Sequence, residues 1–220
     1  MMKFENQYAK SLMQTNHCVK CFNKIETNSL RFLLGNYQIL CKNCLNERKP
    51  KFEKSKICGY ELCSIYEYDD IFRSTLFQIK GCGDIALARS ILNPYEKEIS
   101  LWFKGYVLVP APSYIDDDEA RRFNHVEEIF RSLNLEIQKI FVKKKRIKQS
   151  DLSSKERSKV INNLEVKNGY SISNKKLLIV DDVMTTGSTV KAMIKLLEAY
   201  KPKKIKVLVC ARTSLPKKGK

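Results

Sequence analysis

The residues best suited to chemistry lie in one short segment, Asp181–Thr189, directly after the apolar run Leu177–Val180. Two adjacent carboxylates begin the segment, and Thr185, Thr186, Gly187, Ser188 and Thr189 end it. Glycine lets the backbone approach an anion, hydroxyls donate to phosphate oxygens, and the start of a following helix favours negative charge. Because the carboxylates of Asp181 and Asp182 would repel phosphate and accept hydrogen bonds from hydroxyls, the segment predicts a ligand resembling ribose 5-phosphate.

Two other interpretations of this segment were weighed. The Gly-Lys-Ser/Thr ending of a Walker loop is missing, so a nucleoside triphosphate loop of that type is disfavoured. The segment could instead be an acidic turn that caps the next helix, with glycine and threonine serving only turn formation.

A second cluster of reactive side chains lies near the N-terminus. Cys18 and Cys21 form one C-x2-C pair, and Cys41 and Cys44 form another. Two such pairs at this separation are typical of a structural zinc site, in which four thiolates complete a tetrahedral shell. Free buried cysteines are the alternative, and His17 is at most a neighbour of the zinc shell.

The remaining four cysteines give weaker signals. Cys58 and Cys63 have no matching second pair and receive no role. Cys82 and Cys210 fall in segments expected to be core or near-core, where cysteine is a small buried side chain. His125 is a lone histidine without an assigned function.

The elements that must position these residues follow an α/β pattern. Apolar runs at residues 106–109, 137–142, 177–180 and 205–211 predict strands, and helical spacing at residues 123–133 and 190–197 predicts helices between them. A parallel sheet flanked by helices results. We expect a small zinc-binding module over residues 1–65 and the α/β domain over residues 66–220, with residues 143–159 forming a long basic loop.

Composition limits the classes of protein. The 41 Lys and Arg against 24 Asp and Glu give a formal net charge of +17, which favours polyanionic partners, although lysine runs could equally be solvated surface. No apolar run reaches the roughly 18 residues that a membrane span needs, and the start has no apolar export signal. The sequence therefore predicts a cytoplasmic protein that does not insert into a membrane.

Residues 177–189 closely resemble the thirteen-residue ribose-phosphate motif of type I phosphoribosyltransferases. The resemblance implies that Asp181 and Asp182 bind the ribose hydroxyls of phosphoribosyl pyrophosphate and that the stretch from Thr185 to Thr189 binds its 5-phosphate. Val183 and Met184 join the two halves of this binding segment.

The combination of that motif with an N-terminal four-cysteine module resembles the ComF family, which is associated with DNA uptake in naturally competent bacteria. Four further segments agree with the family's pattern: Phe77–Asp84 with Ile85–Ala88, Val107–Pro112, Arg121–His125 and Gln149–Arg157. The resemblance therefore extends over nearly the whole chain.

Three departures from the family pattern matter. Arg122 stands where the family usually has glycine, which could alter the backbone near the pyrophosphate site. Cys82 replaces a common arginine, which removes one candidate cation. The second cysteine cluster is reduced to Cys58 and Cys63, so the module should hold one metal.

If the chain is an active transferase, the resemblance implies Mg²⁺ with the pyrophosphate ligand, with Asp181, Asp182 and Arg157 as the catalytic set. Arg121, Arg157 and the basic loop from Lys143 to Lys148 are the expected pyrophosphate contacts. No segment identifies the base acceptor. Two alternatives therefore stay open: a non-catalytic module that binds nucleotide or single-stranded DNA, and a zinc-based adaptor for other DNA-uptake proteins.

Overall fold

The computed structural model describes residues 16–25, 39–143, 164–167 and 169–213. Its helices, in chain order, are α1 (Lys42–Asn46), α2 (Asp70–Gly81), α3 (Ile85–Ser90), α4 (Glu96–Trp102), α5 (Ile115–Arg121), α6 (His125–Phe130) and α7 (Ser188–Glu198). Its strands are β1 (Glu53–Ile57), β2 (Tyr60–Glu67), β3 (Val107–Pro110), β4 (Phe141–Lys143), β5 (Leu164–Val166), β6 (Lys176–Met184) and β7 (Lys204–Arg212). Short 3-10 turns at Asn93–Tyr95 and Arg131–Leu133 complete the described elements.

A five-stranded sheet in the order β1-β2-β7-β6-β3 forms the centre of the molecule. The strands β2, β7, β6 and β3 are mutually parallel, whereas the edge strand β1 is antiparallel to β2. The two-residue turn of Cys58 and Gly59 joins β1 to β2, and both residues have positive φ, as a type I′ hairpin turn requires. A separate antiparallel pair, β4 and β5, carries the ends of the expected basic loop.

Helices cover both faces of this sheet because the central strands are apolar on both sides. On β6, Leu178 and Val180 pack into a core with α2, α3 and α6. Leu177 and Ile179 face the opposite core, which includes α7 and the β4–β5 pair. Successive strand residues point to opposite faces, so β6 is buried along both. Its end is consequently held rigidly.

The structure confirms the predicted α/β class, with the antiparallel edge strand β1 as a refinement. The segment expected as a strand at residues 137–142 divides: Ile137 makes a single parallel bridge to Leu108, and only Phe141–Lys143 forms a strand. The expected boundary after residue 65 falls within β2. Because β1 and β2 belong to the main sheet, the four-cysteine module ends before Glu53.

Cys82 is exposed, so its expected burial is wrong, whereas Cys210 is buried as expected. Cys82 follows the last residue of α2 as its C-cap, outside the buried face of the helix. Within the described residues, no helix is both long enough and apolar enough to cross a membrane.

Candidate functional site

The predicted phosphate-binding segment lies where β6 ends and α7 begins. Gly187 has φ +71 and is the N-cap of α7, a conformation that glycine adopts without strain. Thr186 Oγ1 and Ser188 Oγ lie 2.8 Å apart, and both side chains are at least partly exposed. The free backbone N–H groups of the 11-residue helix α7 start at this turn. The turn therefore presents hydroxyl and amide donors to one anionic group.

Asp182 is held by two groups on the face of the sheet covered by α2 and α6. Lys80, in the last turn of α2, forms an ion pair with its Oδ2, and His125 Nε2 at the start of α6 lies 3.4 Å from the same oxygen. Burial acts against ionisation of Asp182. The hydrogen bond from His125 and the charge of Lys80 outweigh that effect and hold the pKa of Asp182 well below its usual range. Asp182 is therefore a fixed carboxylate.

Asp181 has the opposite electrostatic character. Burial raises the pKa of its carboxyl well above the usual range, and the neighbouring charge of Asp182 adds to the effect. Its Oδ1 accepts a hydrogen bond from the Asp182 backbone N–H at 3.0 Å. The two adjacent carboxyl groups thus differ: the pKa of Asp182 is lowered, and the pKa of Asp181 is raised.

Lys143 is the described member of the predicted basic loop, and it lies near this acidic pair. Burial lowers the pKa of its ammonium group, while the charges of Asp181 and Asp182 raise it in part. Its Nζ also lies 5.0 Å from the centre of the Tyr114 ring. This position, at the end of β4, places one cation beside the carboxylates.

A cavity of about 420 Å³ lies at the end of β3, the strand that pairs with β6. Its floor is the end of β3, where the Ala111 N–H donates to Val180 O at 2.8 Å, one residue before Asp181. Its walls include Phe123, Phe141 and Asn124. The Asn124 side chain donates to Ser113 Oγ and Asp118 Oδ2, both at 2.7 Å, which fixes this wall. The cavity is large enough for a small organic group next to a ribose.

The structure describes only some of the side chains that were predicted to bind pyrophosphate. Arg121 forms an ion pair with Asp118 at 2.9 Å, and its side chain is 13% exposed, so part of its donor capacity is already used. Arg122 lines the cavity and has φ 63, the left-handed conformation that glycine adopts freely. The chain thus places an arginine in a backbone conformation that favours glycine. Arg157 and residues 144–148 lie outside the described residues.

The four N-terminal cysteines form one cluster, as predicted. All four sulfur atoms lie within 4.8 Å of one another, and Cys18 and Cys44 are buried. Burial would raise the pKa of Cys18, but backbone N–H groups hydrogen-bond to its sulfur and lower the pKa to about 7. Four convergent sulfurs with backbone donors suit a tetrahedral soft-ligand metal. Cys58 and Cys63 lie outside this cluster, on the β1–β2 hairpin, and His17 is exposed and not among its members.

Sequence reasoning missed Lys80 and His125 as site residues. Lys80 was part of a matched family segment without a role, and His125 was a lone histidine. Both come from elements far from β6 in sequence, and the fold brings them to one oxygen of Asp182. The available signal was a lysine in the last turn of a helix and a histidine directly after an N-cap asparagine, which is too common to assign a role.

Comparisons with known proteins agree with this geometry. Residues 123–218 match the family model described as the phosphoribosyl transferase domain. The chain is 26% identical over 178 residues to competence protein ComFC of Streptococcus pneumoniae (strain ATCC BAA-255 / R6), which covers 78% of this chain and 80% of that protein.

Two solved structures were also found to be similar. A hypoxanthine phosphoribosyltransferase from Staphylococcus aureus matches at 14% identity with a TM-score of 0.38, over 56% of this chain and 61% of that chain. A hypoxanthine-guanine phosphoribosyltransferase from Bacillus anthracis str. 'Ames Ancestor' matches at 16% identity with a TM-score of 0.36, over 56% of this chain and 64% of that chain. This chain thus spans less than two thirds of either enzyme.

The parallel sheet, the acidic pair at the end of β6 and the family match define a phosphoribosyltransferase-fold domain. With the similarity to ComFC and the four clustered cysteines near the N-terminus, the chain resembles ComF-type proteins. It joins a four-cysteine module to a phosphoribosyltransferase-fold domain.

Proposed function

We propose that this chain binds phosphoribosyl pyrophosphate, or a nucleotide with the same ribose phosphate, at the end of β6. The observation that carries the proposal is the order of groups along the chain: two adjacent carboxyls, then a hydroxyl-rich turn, then the start of α7. A phosphate monoester fits the turn and α7, and ribose hydroxyls fit the carboxyls.

Within this site the two aspartates would act differently. Lys80 and His125 already neutralise and orient Asp182, so it offers an immobile acceptor to one ribose hydroxyl. Asp181 is not ion-paired in the same way, and an approaching cation would lower its pKa. Asp181 is therefore the residue through which Mg²⁺ and the ligand would act most strongly on this site.

The pyrophosphate end of the ligand would extend from the ribose toward β3 and β4. Lys143 and Arg122 are the described cations on that side, and Arg121 is partly committed to Asp118. Arg157 and residues 144–148 complete the set that the family pattern predicts. Mg²⁺, when bound with the pyrophosphate, supplies charge neutralisation at the leaving group.

The four-cysteine module would hold one structural Zn²⁺ through Cys18, Cys21, Cys41 and Cys44. Among the described residues, the apolar cluster of the module is small and consists of Cys18, Ile25, Leu40 and Cys44. Metal binding is the usual means by which such a module folds. We assign this metal a structural role because four protein ligands leave no open position.

The name of the Streptococcus relative associates that protein with competence. We extend this to a role for the present chain in DNA uptake, with cytoplasmic location and other uptake proteins as partners. A transferase activity and a purely ligand-binding activity both remain compatible with the site. The cavity beside the ribose position is where an acceptor base would have to lie for transfer.

The decisive experiment measures binding and turnover separately. Calorimetry with phosphoribosyl pyrophosphate and Mg²⁺ should give saturable binding that Asp181→Asn weakens at least about tenfold, since charge-assisted hydrogen bonds are lost. Pyrophosphate release with a panel of bases then separates transferase from binding protein. The control is Lys203→Met, which removes an exposed charge directly before β7. Equal affinity of the wild type and Asp181→Asn would contradict the proposal.

A further inference from the structure

An arginine is buried without sufficient partners at the junction of the four-cysteine module and the domain. Arg48 follows α1 by two residues and is only 5% exposed. Among the described residues, its Nε and Nη1 have no hydrogen-bond partner, and its Nη2 has only a long contact of 3.5 Å with Ser90 Oγ. A guanidinium carries five N–H donors and does not lose its proton in proteins. Most of its donors are thus unused.

Leaving a charged group buried in this way is costly. Burying an unpaired charge costs roughly several kcal/mol. For this reason, buried arginines nearly always donate to an acceptor. The nearby Tyr66 ring lies 5.8 Å from the guanidinium carbon and gives only a weak cation–π contact. The Tyr66 hydroxyl donates to Ile91 O at 2.8 Å, away from Arg48. The protein groups around Arg48 therefore do not account for its burial.

Arg48 lines a cavity of about 230 Å³ together with Asn46, Lys49 and Lys51. Three carboxylates also line it, but each has a partner in the structure. Glu47 pairs with Lys20, Glu67 pairs with Lys51, and Asp69 accepts from the Phe72 N–H as the N-cap of α2. The acceptor that Arg48 lacks is not supplied by the cavity wall.

We infer that this cavity is an anion site, separate from the ligand site at the end of β6, and that it takes one small oxyanion of the phosphate class. The cavity is smaller than the roughly 300 Å³ at which pockets for nucleotide-sized ligands begin. Its acidic wall disfavours a polyphosphate, whereas a single tetrahedral anion can meet Arg48 and keep clear of the three carboxylates. Lys49 adds a second cation.

The position of the site gives it a structural consequence. Arg48 follows the helix that carries Cys44, and its contacts Ser90 and Tyr66 belong to the domain. An anion bound to Arg48 would neutralise the buried guanidinium charge at the place where the module and the domain meet. Bound phosphate should therefore strengthen the attachment of the module to the domain.

The test uses the full chain and inorganic phosphate, with ionic strength held constant by sodium chloride. Ser188→Glu places a carboxylate in the turn at the start of α7 and removes phosphate binding there. Equilibrium dialysis of this variant should still give one phosphate per chain, with a rise in Tm. Adding Arg48→Met should lower phosphate affinity at least about tenfold and abolish the rise, because a charge-assisted fork is lost.

Lys203→Met in the Ser188→Glu background is the matched control for loss of one charge, and it should bind phosphate as Ser188→Glu does. Absence of saturable phosphate binding to Ser188→Glu would overturn the inference. This measurement needs no substitution of Arg48, so the anion site can be tested even if Arg48→Met fails to fold. Equal phosphate affinity with and without Arg48→Met would overturn it as well. Loss of phosphoribosyl pyrophosphate binding in Ser188→Glu bears only on the site at β6.

Discussion

At the scale of single residues, the two adjacent aspartates have the same side chain, but their pKa shifts predict opposite contributions to stability. Asp182 is ionised and held by Lys80 and His125, so its charge contributes to folding. Asp181 lies beside that charge and has a raised pKa, so we expect its ionised form to oppose folding. A site residue that reduces stability is expected where function needs a charge in a fixed place.

Substituting each aspartate by asparagine should therefore change stability in opposite directions at pH 7. Asp181→Asn should raise the free energy of unfolding by about 1 kcal/mol, since a disfavoured charge is removed. Asp182→Asn should lower it by about 2 kcal/mol, because Lys80 and His125 lose their counter-charge. Urea denaturation of the two variants and the wild type measures both differences.

The pH dependence of the free energy of unfolding of the same variants tests the direction of each pKa shift. The lowered pKa of Asp182 means that its stabilisation is complete above the unfolded pKa of about 4 and is lost as the pH falls below it. The raised pKa of Asp181 means that its penalty appears as the pH rises above about 4. Both differences from the wild type should shrink at pH 3, and destabilisation by both substitutions at pH 7 would contradict the assignment.

The sequence predicted the residues of this site only where they are contiguous. Asp181–Thr189 form one segment, so their types and order were readable directly. Lys80, His125 and Arg48 gain their importance from groups distant in sequence: Asp182 for the first two, Ser90 and Tyr66 for the third. No local sequence pattern around a single basic residue predicts such a contact.

At the scale of elements, three strands of the main sheet, β3, β6 and β7, were predictable and the β1–β2 hairpin was not. β6 and β7 are apolar on both faces, which produces continuous apolar runs. β1 has the sequence Glu-Lys-Ser-Lys-Ile and exposes most of its side chains, so it has no apolar alternation to detect. The module boundary expected after residue 65 consequently falls within β2, in a hairpin that no strand pattern predicted.

The turn between β6 and α7 requires glycine at position 187, and Gly187→Ala tests this. A Cβ there would lie 2.9 Å from Ile57 Cδ1, the movable end of a side chain, and the residue has φ +71. We expect a loss of about 1 kcal/mol in stability, mainly from the backbone conformation. Phosphoribosyl pyrophosphate affinity should also fall, since the turn carries the phosphate donors.

Gly105→Ala is the matched control, because Gly105 has φ +79 with nothing within 4 Å of an added Cβ. It should cost a similar amount of stability and leave ligand affinity unchanged. Thermal denaturation and calorimetry on both variants measure the two quantities. An equal loss of affinity in both variants would show that the effect of Gly187→Ala is not local.

The four-cysteine module should depend on its metal. Cys41→Ser removes one of the four clustered sulfurs, and elemental analysis should show loss of about one zinc per chain, with exposure of the module to limited proteolysis. Cys82→Ser, which alters an exposed cysteine outside the cluster, should retain the metal. Metal content unchanged by Cys41→Ser would refute the zinc assignment.

At the scale of the whole molecule, the main feature is the formal net charge of +17. Part of that charge lies on the edge strand β1, where Lys54 and Lys56 are exposed and line a cavity of about 410 Å³ with Lys206. Lysines on an edge strand also prevent sheet-to-sheet association. The charge therefore has two physical roles that experiments must separate: binding of polyanions and protection of the edge.

Salt dependence distinguishes these two roles. If the charge binds single-stranded DNA, retention of an oligonucleotide should fall with salt, with a log–log slope of about −3 for roughly four phosphate contacts. Replacing Lys54 and Lys56 by glutamine should reduce the magnitude of that slope by about 1 and leave phosphoribosyl pyrophosphate affinity unchanged, because β2 and β7 lie between β1 and β6 in the sheet. If the two lysines only protect the edge, the slope should stay constant while size-exclusion chromatography shows new oligomers. A wild type that retains no oligonucleotide at low salt would remove direct DNA binding from the proposed role, and any function in DNA uptake would then act through the ribose phosphate site or through protein partners.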